Sequence, residues 1–373
     1  MIRILQLGKF YPILGGIEKV MFDIVEGVSK FADIKSDMLC AFDGKTNRII
    51  CIYNSKIFCT STWFKFYATM ISPTMIVKLR RICRNYDIIH IHHPDPMAAL
   101  ALRLSGYKGK VILHWHSDIL KQKKLLKFYE PLQSWLINRA DVIVGTSPKY
   151  LQCSPFLQKA SLHKICIPIG IDPIICNKEA VDSLKDKYPN KKLIFSLGRL
   201  VEYKGYKYLI EAAKYLSDQY VILIGGSGPL KEELESVIQQ NGLNNKVRLL
   251  GRIPDAELSV YYGACDVYVL SSIWKTEAFG IVQIEAMSCG KPVVATKIDG
   301  SGVDWVNEDG VSGINVPTED AKSIADAIIY LTSDENRYRQ FSQGALKRYE
   351  NLFRKELMIK RCLTLYNSLV NKR

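Results

Sequence analysis

Short, continuous apolar runs of strand length recur along the chain between segments of helical periodicity. They are Ile2 to Leu7, Ile88 to His92, Val111 to Trp115, Val142 to Thr146, Leu193 to Leu197, Val221 to Ile224, Val247 to Leu249, Val267 to Leu270 and Val293 to Ala295. Runs rich in β-branched residues that do not alternate with polar ones are strands covered on both faces. In alternation with helices they predict parallel sheets. The 373 residues exceed the roughly 250 to 300 at which a single core stops growing. The expected fold class is therefore α/β, with two doubly wound, Rossmann-like domains facing across a cleft. Ile169 to Tyr188, where Ile-Gly-Ile-Asp-Pro precedes a charge-rich stretch, is expected to be the interdomain linker, because glycine tolerates unusual backbone angles and the residue before proline avoids the helical region. This gives a first domain over 1–175 and a second over 185–353. Residues 354–373 show helical periodicity and are expected to pack back on the first domain.

Composition narrows the setting. The first strand runs straight into a glycine turn without the charged and apolar regions of a secretory leader, and no stretch reaches the ~18 apolar residues of a spanning helix. Ten scattered cysteines, with no CxxC pair and no zinc-ligand spacing, suit reduced thiols in the cytoplasm. A net charge of +14 calls for an anionic partner, yet no nucleic-acid-binding module accompanies it. The cations bunch at Lys78, Arg80, Arg81 and Arg84 and at Lys121, Lys123, Lys124 and Lys127, with Trp63, Phe64, Phe66 and Tyr67 just before the first group. Such basic, aromatic stretches read either as amphipathic helices on an anionic bilayer or as ordinary solvated faces.

Ligands of open parallel sheets bind beyond the carboxyl ends of the strands, and four loops there carry unusual residues. Gly15-Gly16 follows the opening strand and precedes a helix read as starting near Val20; paired glycines allow close backbone approach, and helix-start amides favour a phosphate. Gly198-Arg199 and Lys204 follow Leu193 to Leu197, and two cations at one strand end can converge on a diphosphate. Thr276 to Gly290 places Glu277 in a loop and Glu285 about one turn into a helix from Ile281, with seven residues between them and the amides of Phe279, Gly280 and Ile281 close by. Carboxylates there can accept hydrogen bonds from sugar or ribose hydroxyls. Finally, His114-Trp115-His116-Ser117-Asp118 closes a first-domain strand, and His90, His92 and His93 close another and could line an acceptor pocket; three imidazoles without a fourth ligand do not establish a metal site.

Taken together, the segments GGIEKV, HWHSD, GRLVEYKG, GGSGPL, GRIP and EAFGIVQIEAMSCGKPVV resemble the family-4 retaining glycosyltransferases of the GT-B fold, and the likeness spans nearly the whole chain. It is strongest to bacterial mannosyl-like transferases of surface polysaccharide, O-antigen, lipopolysaccharide or capsule. The resemblance implies that Arg199 and Lys204 hold the donor diphosphate, Glu285 the donor ribose, and Glu277 the transferred sugar with the amides at Phe279, Gly280 and Ile281. It also implies that Gly16 approaches the donor phosphates or the acceptor, His116 the transferred sugar, Arg252 and Ile253 the base, and that Gly226 and Gly228 shape the nucleotide loop. No cofactor or metal is implied, in keeping with the lack of a DxD-like carboxylate pair. The implied partners are a nucleotide sugar, a glycan or lipid-linked glycan acceptor, and an anionic membrane at the inner face of the cell envelope. A GT-B nucleotide-sugar epimerase or a non-catalytic binding module are the rival readings. A dinucleotide oxidoreductase is disfavoured by the missing GxGxxG fingerprint.

Overall fold

The computed structural model describes residues 1–13, 15–66, 69–119, 123–158, 160, 162–371, without the side chains of 66 and 123–126. The chain forms two compact units, Met1–Gly170 with Lys355–Arg373, and Ile171–Arg354.

The first unit is built on β1 (Ile2–Tyr11), β2 (Ile34–Phe42), β3 (Arg48–Ile52), β4 (Ser55–Ser61), β5 (Phe64–Phe66), β6 (Thr69–Ile71), β7 (Ile88–His93), β8 (Lys110–Trp115), β9 (Val142–Gly145) and β10 (Lys164–Cys166). Eight of these form one sheet in the order β10-β9-β8-β7-β1-β2-β4-β3. Ile4, Leu5 and Leu7 of β1 are fully buried although they alternate between faces, which is what helices on both sides of a parallel sheet require. The sheet is not wholly parallel: β3 runs antiparallel along β4 at the edge, and β5 and β6 make a separate antiparallel pair. The sequence reading missed β2 to β6, whose polar and cysteine-rich runs lack a long aliphatic signal.

The helix Pro96–Ser105 carries its own signals: Asp95 accepts from the Ala98 amide at 3.0 Å, proline takes the first turn, and Gly106 ends it at φ 72°. The C-terminal helix Lys355–Val370 belongs to this unit and buries Met358, Ile359, Cys362, Leu365, Tyr366 and Leu369, a single stripe at helical spacing. It lies close along the helix Gly16–Val28 because Gly27 has no side chain; a Cβ there would stand 2.5 Å from Ile359. Lys355 anchors the junction, its ammonium 2.6 Å from Glu26 and 3.3 Å from Asp23.

The second unit has six parallel strands, β11 (Lys192–Leu197), β12 (Tyr220–Gly225), β13 (Val247–Gly251), β14 (Val267–Leu270), β15 (Val293–Lys297) and β16 (Gly313–Pro317), in the order β13-β12-β11-β14-β15-β16. The last was overlooked because it opens on glycine and closes on proline; Gly313 is required there, since a Cβ would fall 1.7 Å from the Val293 carbonyl. The segment expected to be a linker is corrected. Residues Lys178–Asp186 form a helix capped by Asn177, with Val181 and Leu184 buried against the helix Asp255–Ala264. Its apolar stripe is two residues wide, too narrow to stand out in a polar segment.

Two predictions follow from this packing. Gly226, at φ 129°, has the Gly198 carbonyl 1.9 Å from where a Cβ would sit, whereas Gly242, at φ 65°, faces open space. Thermal unfolding should therefore show Gly226→Ala losing about 3 kcal/mol and Gly242→Ala about 1. Glu26 is held below the usual carboxylate range by its hydrogen bond to Lys355, against a smaller opposing effect of burial. The stabilisation it gives is complete above the unfolded glutamate value of 4.5 and is lost as pH falls through the lower folded value. Lys355→Met should flatten that acid limb in pH-dependent denaturation.

Candidate active site

A crevice for a ligand opens where the strand order of a parallel sheet reverses. In the second unit that point lies between β11 and β14, neighbours in the sheet but distant in the chain. The loop after β11 carries Lys204 and the loop after β14 carries Glu277, and the fold joins them: Lys204 Nζ donates to Glu277 Oε2 at 2.5 Å. Ser272 donates to the same oxygen at 3.1 Å, Ser271 donates to the Lys204 carbonyl at 2.9 Å, and Ser301 to the Glu277 carbonyl. The side chains are only 10% and 13% exposed, so each charge depends on the other for the solvation it has lost. Burial alone would lower the Lys204 pKa, but the Glu277 carboxylate, with the Tyr206 and Tyr203 phenols, raises it above its ordinary value. The ammonium is thus permanently charged. It has three donors, and Glu277 takes one of them.

The stem of Lys204 crosses the backbone at Gly198, where a Cβ would come 3.1 Å from Lys204 Cε and 2.9 Å from the Tyr206 hydroxyl. Arg199, the next residue, is exposed at the strand end. Gly226 and Gly228 are required by the protein itself: Cβ atoms there would strike the carbonyls of Gly198 and Leu200 at 1.9 and 2.4 Å. The loops after β11 and β12 are laced together through Leu200 N to Ser227 O at 3.0 Å and Leu230 N to Leu200 O at 3.1 Å. After β13, Arg252 is exposed and Ile253 is buried, its Cδ1 2.5 Å from where a Gly225 Cβ would sit.

Phe279 is buried edge-on to Phe353, and Gly280, at φ 75°, turns the chain into the helix Ile281–Ser288, whose first amides have no acceptor within the helix. Gln283 is fully buried and donates to the Phe279 carbonyl at 3.0 Å, fixing the turn from beneath. One turn into the helix, Glu285 accepts a hydrogen bond from the Tyr262 hydroxyl. Burial, then the Glu285 charge, pushes the Tyr262 phenol well up, so it remains a neutral donor that orients the carboxylate.

In the first unit, the helix expected near Val20 begins at Gly16, which puts Glu18 in its first turn and leaves Gly16 exposed at its start. His116 lies one residue beyond β8 and is buried, its Nε2 2.9 Å from His92 Nδ1. His90, His92, His114 and His116 form one stack, with neighbouring ring centroids 4.0 to 5.2 Å apart. His93 leaves it and stacks on Trp115 at 3.7 Å. Burial drives every one of these imidazoles far below its ordinary pKa, His93 and His114 to about 3, so all are neutral. Ring nitrogens of His90, His92 and His114 gather within 4.8 Å of one another. The ring planes differ by only 10° to 29°, and both ring nitrogens of His92 already meet partners, His116 and Gln6. A cavity of about 720 Å³ in the second unit opens by Lys192, Gln219, Tyr220 and Asp266, at the amino ends of the strands and away from the residues above.

The family model described as Glycosyltransferase Family 4 matches residues 14–152, and that described as Glycosyl transferases group 1 matches 177–348. The O-antigen chain mannosyltransferase C of Escherichia coli is 28% identical over 100% of both chains. The phosphatidyl-myo-inositol mannosyltransferase of Mycobacterium leprae is 30% identical over 75% of this chain and 74% of that one. Among solved structures, HepE of Anabaena in complex with UDP superposes with a TM-score of 0.79 at 22% identity, covering 99% of this chain and 100% of that one. The fold is that of the GT-B glycosyltransferases. The chain belongs to glycosyltransferase family 4.

Ser272, Tyr262, Gln283 and Ser301 were missed in the sequence; only the paired serines at the end of β14 offered a signal, as polar residues directly after an apolar strand. If Lys204 and Glu277 form a coupled pair, Lys204→Met alone should cost about 3 kcal/mol, and the double variant with Glu277→Gln should recover part of that loss in a denaturation cycle.

Proposed function

We propose that the protein transfers a hexose, with retention at the anomeric carbon, from a nucleoside-diphosphate sugar to a glycan or polyprenyl-linked glycan in surface polysaccharide synthesis. The observation that carries this reading is the Lys204–Glu277 pair at the strand-order reversal of the second unit, a fixed cation beside a fixed acceptor. Mannose from GDP-mannose is the first choice, in line with the names of the Escherichia coli and Mycobacterium leprae relatives. Glucose, galactose or an N-acetylhexosamine from a UDP donor is the other, in line with the UDP bound to HepE.

In the proposed reaction the acceptor hydroxyl attacks the anomeric carbon on the face from which the nucleoside diphosphate leaves. The bond to the diphosphate oxygen breaks through an oxocarbenium-like transition state, and that departing oxygen takes the acceptor's proton. Arg199 and Lys204 stabilise the charge gathering on the diphosphate, the kind of stabilisation that acts mainly in the transition state. Glu277 accepts hydrogen bonds from the transferred sugar, and the amides at Phe279, Gly280 and Ile281 bind alongside it. Glu285, oriented by Tyr262, accepts from the ribose diol, and Arg252 and Ile253 border the base. Gly16 approaches the phosphates or the acceptor, and His116 contacts the transferred sugar. No metal is needed, because the two cations neutralise the leaving group.

The protein is proposed to work in the cytoplasm, peripherally at the membrane. Among the described residues no helix is long and apolar enough to cross one. Trp63, Phe64 and Phe128 are exposed, as are Arg80, Arg81, Arg84 and Lys127. Lys78, Arg80 and Arg81 lie on the helix Pro73–Ile82 and Lys127 on the helix Lys123–Arg139, whereas the aromatic stretch before them contributes Phe64–Phe66 to an antiparallel strand pair, and Lys78 lies over the Phe58 ring at 4.3 Å. Tyr67 and Lys121 lie outside the described residues, and the side chains of Phe66, Lys123 and Lys124 are not among those described.

Arg199→Ala and Lys204→Ala should each lower sugar transfer about a hundredfold or more while thermal unfolding stays cooperative. Near-normal transfer by either variant removes that residue from the site. Thermal stabilisation across a panel of nucleotide sugars should single out one donor; turnover of that donor without an acceptor would instead favour an epimerase. Binding to anionic vesicles should weaken with salt, and equal binding to neutral vesicles would defeat the electrostatic part.

A further inference from the structure

The cysteines of the chain are free thiols, and two of them touch. Cys176 Sγ lies 3.5 Å from Cys289 Sγ, although 113 positions of chain separate the two residues. Both belong to the second unit, and both are half-buried, so neither is sealed from solvent. Cys176 sits in the segment 172–177, which has no regular secondary structure and is largely exposed, with Ile175 beside it 85% exposed. Cys289 ends the helix Ile281–Ser288, one turn beyond Glu285.

Packing brings the two sulfurs together. Gly263 has no side chain, and Cys176 takes that space: a Cβ on Gly263 would stand 2.9 Å from Cys176 Sγ. The Ile174 amide donates to Ser288 Oγ at 3.3 Å, and that hydroxyl donates to the Glu285 carbonyl at 2.7 Å. The segment is thus already docked on the last turn of the helix. A disulfide would bring the sulfurs to about 2.0 Å, a movement of roughly 1.5 Å that an irregular segment can supply. Other cysteines lack this combination of contact and access. Cys40 and Cys59 are partners in register on β2 and β4 but are 0% and 1% exposed, and Cys265, 2% exposed, donates to the Tyr262 carbonyl at 3.4 Å.

We propose that Cys176 and Cys289 are a reversible oxidation site, closed to a disulfide by a low-molecular-weight disulfide of the glutathione type, and that the bond staples the segment 172–177 to the end of the helix that carries Glu285. In a reducing compartment such a bond is transient and responsive rather than structural. Burial, then the Cys176 sulfur beside it, pushes the Cys289 thiol up, so Cys289 stays protonated and the first attack falls to Cys176. The Cys176 thiolate attacks one sulfur of the small disulfide, and one glutathione leaves as its thiolate. Cys289 then gives its proton to water, its sulfur attacks Cys176 Sγ, and the second glutathione leaves as its thiolate. Two protein thiols are oxidised, and one small disulfide is reduced to two thiols.

The test treats the full chain, purified in the reduced state, with oxidised glutathione, then alkylates the remaining thiols after denaturation and maps the peptides by mass spectrometry. The expected result is a pair of peptides joined through Cys176 and Cys289 and released by dithiothreitol, with Cys40, Cys59 and Cys265 alkylated. Cys289→Ser should retain glutathione on Cys176, and Cys176→Ser should leave Cys289 a thiol. Both variants should unfold at the temperature of the reduced wild type, which guards against a folding defect. Glutathione retained on Cys176 of the wild type, or no bond between the two residues at any excess of oxidant, overturns the site.

The second arm is thermal unfolding of the oxidised protein. A bond that closes so long a loop of the unfolded chain should raise the unfolding temperature by about 5 °C or more. The rise should vanish with dithiothreitol and be absent from both serine variants. A bond between Cys176 and Cys289 that forms without such a rise overturns the staple alone.

Discussion

A strand buried on both faces has no place for a charged side chain except at its ends, and this constraint organises the molecule. In β11, β12 and β14 the interior positions are aliphatic or aromatic, Ser196 apart, and almost wholly withdrawn from water. Ionic and hydrogen-bonding groups are therefore pushed into the loops at the carboxyl ends. The order of the strands then decides which loops meet. Because β11 and β14 are neighbours, residues 73 positions apart become an ion pair. Ser271 and Ser272 at the tip of β14 hold that pair through one bond to each partner.

The first unit handles the same constraint differently. Its sheet carries Gln6, His90, His92 and His114 inside, where each imidazole is too buried to ionise. A charged group in that place would be prohibitively costly, whereas neutral rings can stack and pass hydrogen bonds along a line. The two units thus prepare polar groups by opposite means. One keeps a lysine charged by giving it a carboxylate, and the other keeps histidines neutral by denying them water.

Much of this was legible in advance, for a physical reason. The aliphatic strands of both sheets announce themselves because they must be buried on both faces, and the nine runs read from the sequence all form strands. The Gly-Arg and Glu-x7-Glu segments stood out because they interrupt apolar stretches with groups that need partners. What remained hidden lacked a local signal. The helix Lys178–Asp186 buries two residues of a polar stretch, β16 is bounded by glycine and proline, and β3 is held at the sheet edge by pairing with β4. The helix owes its form to Asp255–Ala264, distant in sequence, and the two strands to pairing with the strands next to them in the chain.

The sequence by itself determined the class of fold and nine of the strands, since those follow from patterning that any window of the chain displays. Only the tertiary structure decided that Lys204 pairs with Glu277, that Tyr262 supports Glu285, and that Tyr366 reaches Gln6 across 360 positions of chain. Those contacts depend on strand order and helix docking. These are set by the packing of the whole unit, and no local window of sequence contains them.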